Sequence, residues 1–232
     1  MYNKKIKGIV VAVAVIVLTG TVFAAANTNE PQSHVLNLPA REQWANNHGY
    51  CGETSIQTDA LYYGTYISQE MARKIAGSEL LVSENDDELL NALKLDFDEW
   101  NYDQKTPQYK SYLAWTKKHL QQGHPVIITV YVKDMEDPDF DHIVPVTGYI
   151  SKDADTFHDS DKLIFNDNFK KEPFTRTFQS MWDERSMKRN HSEYEYCIPK
   201  NVDYGVAITG IRDKKKKQFR FPLTWIPGMN PM

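Results

Sequence analysis

Two residues dominate the chemistry this sequence can support: Cys51 in a polar, glycine-flanked setting, and His142 at the head of an apolar run. The stretch Gln43-Trp-Ala-Asn-Asn-His-Gly-Tyr-Cys51-Gly52-Glu53-Thr54-Ser55 sets Cys51 after Gly49-Tyr50, at the start of a proline-free segment read as helix. A thiol there meets unpaired backbone N–H groups and the positive end of a helix dipole, both of which stabilise an anion. The thiolate is the reactive form of cysteine, so the setting suits a nucleophile. Asn, His, Gly, Glu and Thr around it are poor core company, which argues against a packed structural cysteine. Attack on a carbonyl needs a donor for the oxyanion that develops. Gln43, eight residues upstream, offers a side-chain amide that can share this task with the Cys51 N–H. Gly52 is expected to let a substrate carbonyl come close to the backbone.

Such a thiol needs a base. His142 follows Asp141 and opens Ile-Val-Pro-Val-Thr-Gly-Tyr. At the start of a strand its imidazole is expected to project from the sheet edge towards the Cys51 helix. A third group should orient the imidazole through its other nitrogen. Leu163-Ile-Phe-Asn-Asp-Asn168 ends the next apolar run with three candidates. Neighbouring strand residues point to opposite faces, so Asn166 and Asp167 cannot both face His142. His48, three residues before Cys51, reads as a loop residue. Cys51, His48 and His142 match no standard zinc spacing, so neither metal nor cofactor is expected. The acidic run at 134–141 lacks the glycine and closing glutamate of a calcium loop and reads as a solvated rim. Beside His142 it would raise the imidazole pKa and favour substrates with a basic or neutral residue nearby.

The elements that must hold these residues change period midway along the chain. The first half reads helical. Ser68 can cap a short helix carrying Met71, Ala72 and Ile75 and closed by Gly77. Asn85 and Glu88 resemble a capping pair before Leu89, Leu90 and Leu93. Thr106-Pro107 opens the clearest helix, with Tyr109, Tyr112, Leu113, Thr116 and Leu120 on one face and Gly123 at its end. The second half reads as strands at 126–132, 142–150 and 162–165, with a terminal hairpin of 204–211 and 219–225 around Lys214–Lys217. Helices followed by an antiparallel sheet make an α+β fold.

With those residues in view, the chain resembles the papain-like cysteine peptidase superfamily, and most closely its bacterial branch related to bacteriocin-leader-processing peptidases. Gly123-His-Pro125-Val126, His142-Ile-Val-Pro-Val-Thr-Gly148-Tyr149 and Asn166-Asp167-Asn168 carry the likeness, with Phe174, Phe178 and Trp182 after them. It covers roughly residues 43–182. The resemblance implies a papain-like fold, with the nucleophile at a helix N-terminus packed on the antiparallel sheet, and a peptide or protein substrate. It makes Cys51 the nucleophile, His142 the base, Gln43 the oxyanion donor and Asp167 the orienting carboxylate. Two departures are visible. Asn168 stands where the branch has proline, and Gly-Glu-Thr follows the nucleophile instead of small residues and an aromatic.

Address and charge follow from the ends and the composition. Lys4, Lys5 and Lys7, the apolar run at 9–18 and the small residues Ala24, Ala25 and Ala26 read in that order as a secretory signal peptide. The run is short for a bilayer span of about 20 residues. Residues 1–26 are therefore expected to be removed, 27–42 to form an extended lead-in, and 43–232 to form one hydrolase domain. Those first 26 residues hold three lysines and no acid, so the net charge goes from −4 to −7. An acidic surface argues against nucleic acid as a partner and against stable membrane association after cleavage. A secreted or periplasmic monomer is expected. Two other readings keep the same residues. An amine acceptor would make the protein an acyltransferase or transglutaminase, and a Cys51–Cys197 disulfide would make it a binding module.

Overall fold

The computed structural model describes residues 30–44, 49–77, 80, 84–132, 140–169, 172–181, 196–198, 200–202 and 204–212. The signal peptide expected at 1–26, His48, the acidic residues at 134–139, Trp182, Lys214–Lys217 and the strand expected at 219–225 lie outside the described residues.

Eight strands among the described residues form one antiparallel sheet. They are β1 (Gln32–Val35), β2 (Leu95–Glu99), β3 (Val126–Val132), β4 (Phe140–Ser151), β5 (Lys162–Asp167), β6 (Glu172–Thr177), β7 (Tyr196–Cys197) and β8 (Gly205–Ile211). The order is β2-β8-β3-β4-β5-β6, with β1 on the far end of β4 and β7 on β3. The helices are α1 (Cys51–Tyr62), α2 (Gln69–Ala76), α3 (Asp86–Ala92), α4 (Tyr109–Gln121) and the short α5 (Phe178–Met181). The mixture of helices and antiparallel sheet is α+β.

Strand alternation builds two cores. Val126, Ile128 and Val130 of β3 and Val144 and Val146 of β4 join Tyr112, Leu113 and Leu120 of α4. Ile127 and Ile143 on the opposite face join Ile56 and Ala60 of α1 and Leu89 and Leu90 of α3. Both faces of the central strands are covered, which is why β3 reads as an unbroken apolar run.

Local signals fixed several boundaries. The Ser68 hydroxyl accepts from Met71 N–H at 3.0 Å, and Gly77 ends α2 with φ 92°. Other expectations need correction. Asn85 makes no cap; its side-chain amide donates to the Ala76 carbonyl at 3.1 Å, tying α3 to the end of α2. Met71 and Ile75 face solvent, because α2 buries Gln69 and Ala72 instead. Residues 32–35, within the stretch read as a lead-in, pair with β4 from Gln32↔Ser151 to Val35↔Gly148.

Gly52 also has a different task from the one expected. It is buried, and a Cβ there would lie 2.4 Å from Leu80 Cδ2 and 3.1 Å from Ile143 Cδ1. The missing side chain lets α1 pack against the core and does not open a path for substrate. Gly52→Ala is therefore expected to cost about 1–3 kcal/mol of stability by overpacking. Thermal unfolding checks this, and an unchanged melting temperature would refute it.

Candidate active site

Cys51 is the first residue of α1 and is half-buried, so its backbone N–H belongs to the unpaired donors of the first turn. The polar residues after it are not surface residues. Glu53, Thr54 and Ser55 are buried and satisfied. Thr54 Oγ1 donates to Tyr50 C=O at 2.6 Å, and Ser55 Oγ is 2.8 Å from Cys51 C=O and 3.1 Å from Ile143 C=O. Glu53 accepts from Arg73 Nε at 2.6 Å and from Leu80 N–H at 3.1 Å. The Arg73 guanidinium lies 3.8 Å over the Tyr50 ring and also donates to the Gly49 carbonyl. One cation from α2 thus fixes the two residues that lead into Cys51.

Gln43 sits on a segment held from two sides. Its N–H donates to Asn168 C=O at 2.8 Å. Gln69 of α2 donates to Glu42 C=O at 3.0 Å and accepts from Trp44 N–H at 3.1 Å. The Asn168 side chain then joins this segment to the rest of the site. Its Nδ2 donates to Cys51 C=O at 2.9 Å, Ser55 Oγ at 3.1 Å and Ile143 C=O at 2.8 Å. The residue that departs from the branch pattern is the one that bridges β5, α1 and β4. The Gln43 side chain makes no hydrogen bond among the described residues, and its Oε1 is buried.

His142 is wholly buried, which corrects the expectation of an open sheet edge. It is the third residue of β4, a strand flanked by β3 and β5, and Phe169 covers its ring at 4.2 Å and 8°. Nε2 lies 3.0 Å from Asp167 Oδ1. Nδ1 is buried and has no hydrogen-bond partner among the described residues. Burial by itself pushes the imidazole pKa down, but the hydrogen bond to Asp167 and the charges of Cys51 and Asp167 outweigh it and leave the pKa raised. Asp167 is the reverse case. Burial would lift its carboxyl, yet hydrogen bonds from His142, Tyr196 and the Phe169 N–H hold it below the ordinary carboxylate range. Tyr196 Oη donates to Asp167 Oδ2 at 2.6 Å, and Phe169 N–H to Oδ1 at 3.0 Å.

The structure thus gathers Cys51, His142 and Asp167, with Gln43 joined to them through Asn168. Asp167, not Asn166, meets the imidazole; Asn166 is buried, and its Nδ2 has no partner among the described residues. Cys51 and Cys197 are not joined in a disulfide, so the pairing that the binding-module reading required is absent. Cys197 is buried on β7 opposite Tyr131 of β3. Sequence reasoning missed Arg73, Gln69, Phe169 and Tyr196. No spacing rule relates these residues to Cys51 or His142.

Elsewhere, a cavity of about 230 Å³ is lined by Asp86, Asp87, Glu99, Trp100, Tyr102 and Tyr204, among others. The three carboxylates bring oxygens within 4.8 Å of one another, near enough for one cation, although Asp87 and Glu99 are exposed. Partial desolvation, then a hydrogen bond and charge from Asp87 and the charges of Asp86 and Asp98, push Glu99 up to about 7. A raised acid binds more protons folded than unfolded, so its contribution to stability declines as pH rises from about 4.3 through 7. Glu99→Gln is expected to raise the melting temperature at pH 8 and to change it little at pH 5. An equal shift at both values would contradict this.

A cysteine opening a helix beside a buried imidazole–carboxylate pair, on an α+β scaffold, is the arrangement of the cysteine peptidases. The chain belongs to the Peptidase_C39 like family, whose model matches residues 35–190, about two thirds of its length. That family lies within the papain-like cysteine peptidase superfamily, as the resemblance implied. No curated protein matches the chain. Tyr196 falls beyond the matched segment.

Proposed function

We propose that this protein is an exported thiol hydrolase that cleaves an amide bond in a peptide or protein, on a papain-like fold. The observation that carries the reading is the buried imidazole held 3.0 Å from Asp167 with Nδ1 left unpaired among the described residues, while Asn168 ties the Cys51 carbonyl to that of Ile143, the residue after His142. In this mechanism His142 Nδ1 holds the proton released by Cys51, and Asp167 keeps Nε2 protonated and the ring aligned. The Cys51 sulfur attacks the carbonyl carbon. Charge developing on the carbonyl oxygen is met by the Cys51 N–H and the Gln43 amide. The imidazolium then protonates the departing amine from Nδ1, and the same nitrogen deprotonates the water that releases the acyl group. Arg73, Gln69 and Asn168 position the backbone segments that present these groups.

The leader at 1–26 supports export, and the charge of −7 without it supports a soluble monomer that binds neither nucleic acid nor membrane. No step above calls for a cofactor. Brief iodoacetamide treatment at mildly acidic pH tests the reading without knowledge of the substrate. Cys51 in the native protein is expected to be alkylated many times faster than Cys51 in the unfolded chain, with Cys197 protected by burial. Equal rates for native and unfolded Cys51 would refute an activated thiol. Mass spectrometry of a peptide digest with and without an added amine then separates water from amine as the acceptor.

A further inference from the structure

We propose that His119 and His124 form a binding site for a divalent transition-metal ion of the zinc or copper class, at the C-terminal end of α4. None of its residues belongs to the Cys51 site, so the proposal stands independently of the thiol chemistry.

The backbone brings the two imidazoles together. Gly123 N–H donates to Leu120 C=O at 3.0 Å, and His124 N–H to His119 C=O at 2.9 Å. Gly123 has φ 77°, the left-handed conformation that glycine adopts readily. These two bonds make a Schellman turn, in which the side chains of the first and last residues meet. That pair is ordinarily apolar. Here both members are histidine, in the order His119-Leu-Gln-Gln-Gly-His124.

Their Nδ1 atoms lie 3.4 Å apart. This is longer than an ordinary N–H bond to an acceptor. It is the spacing of two nitrogens on one ion, each about 2.0–2.1 Å away at a near-tetrahedral angle. The far side of His119 is arranged to match. Its Nε2 lies 3.0 Å from Asp98 Oδ2 on β2, so Nε2–H donates to the carboxylate, the proton stays on Nε2, and a lone pair is left on Nδ1 facing His124. A carboxylate behind a ligating imidazole fixes the tautomer and raises its basicity. Trp115 packs against the His119 ring at 4.7 Å and limits its rotation. His119 is buried while His124 is half-buried, so solvent can complete the coordination sphere.

Imidazole nitrogen selects zinc, copper or nickel over the oxygen-seeking calcium and magnesium.

The test is a Cu²⁺ titration of the full chain followed by calorimetry and electron paramagnetic resonance. A thiol–imidazole pair also takes such ions, so every sample carries Cys51→Ser. One ion per chain is expected, with hyperfine splitting from two nitrogens. His124→Gln should weaken binding at least tenfold and remove the two-nitrogen pattern. Asp98→Asn, which keeps both ligands, should weaken it by about tenfold or more. His119→Gln serves only if its melting curve shows it folded; the half-buried His124 and the exposed Asp98 carry the test otherwise. Unchanged affinity and spectrum in His124→Gln would overturn the proposal, as would the absence of any copper bound above the level of the unfolded chain.

Discussion

Cys51→Ala is expected to lower amide hydrolysis by about 10⁵-fold while leaving the melting temperature within a few degrees of the parent. The size follows from what remains. Removing a nucleophile that works as a unit with its base abolishes nearly all of the joint contribution, and only oxyanion donors and substrate binding persist. The Cys51 N–H and Gln43 stay in place in the variant, so a residual rate above that in water is expected. Stability should be spared for local reasons. Cys51 is half-buried at the first position of α1, and alanine is the best helix former. The bonds that fix this turn run through the Cys51 carbonyl, Thr54, Ser55 and Asn168, none of which uses the sulfur. Initial rates on a peptide identified from digest products, set beside a thermal melt, give both readings. A rate within tenfold of the parent in a folded variant would remove Cys51 from the chemistry.

How much of this was legible depended on whether the signal was local. Val126–Val132 was visible because burial on both faces demands a continuous β-branched run. The ends of α2 were visible because a cap acts over three or four residues. β1, β2 and β6 were not. Gln32–Val35 and Glu172–Thr177 are short, polar and largely exposed, and β2 shifts register at Asp96/Phe97. Their strand character comes from partners more than 70 residues away for β1 and β2, which no window along the chain contains. Met71 and Ile75 misled in the opposite sense. An apolar pair at helical spacing points to the core, yet α2 turns its polar Gln69 inward to hold the segment at 42–44.

The site divides in the same way. Cys51, His142 and Gln43 stood out as candidates because residue type and order carry chemical meaning. The choice between Asp167 and Asn166 was not readable from alternation alone, since it depends on which face of β5 meets His142. Antiparallel pairing of Val146 with Phe165 places Asp167 on the face of His142. Residues two apart share a face, so His142 and Val146 look to the side of Phe165 and Asp167. The burial of His142 was not readable either. An imidazole at a strand start suggests an open edge, whereas β3 and β5 flank β4 and Phe169 closes the top. Tyr196 was beyond reach because it acts on the carboxylate from a two-residue strand placed by β3.

Asp167→Ala is expected to slow turnover by about 10³-fold and to cost roughly 2–4 kcal/mol of stability. The carboxylate accepts from His142 Nε2, Tyr196 Oη and the Phe169 N–H. Its removal strands three donors at a buried point, and each unpaired buried donor costs about 1–3 kcal/mol before relaxation. The imidazole also loses the partner that fixes its tautomer, which is the catalytic part of the loss. Asp167→Asn separates the two effects, since the amide oxygen can still accept from Nε2 while the charge is gone. The signs with pH follow from the shifts. His142 is raised, so its imidazolium contributes stability fully below its unfolded value of about 6.5, lost as pH rises through the higher folded value. Because Asp167 supplies part of that rise, the alkaline limb of the rate profile should move to lower pH in Asp167→Asn. Asp167 itself is depressed, so its contribution is present above about pH 3.9 and lost as pH falls through the lower folded value. The stability gap between parent and Asp167→Ala should therefore narrow in strong acid. An alkaline limb that stays in place in Asp167→Asn, with turnover near the parent, would show that the imidazole takes neither its orientation nor its charge state from this carboxylate.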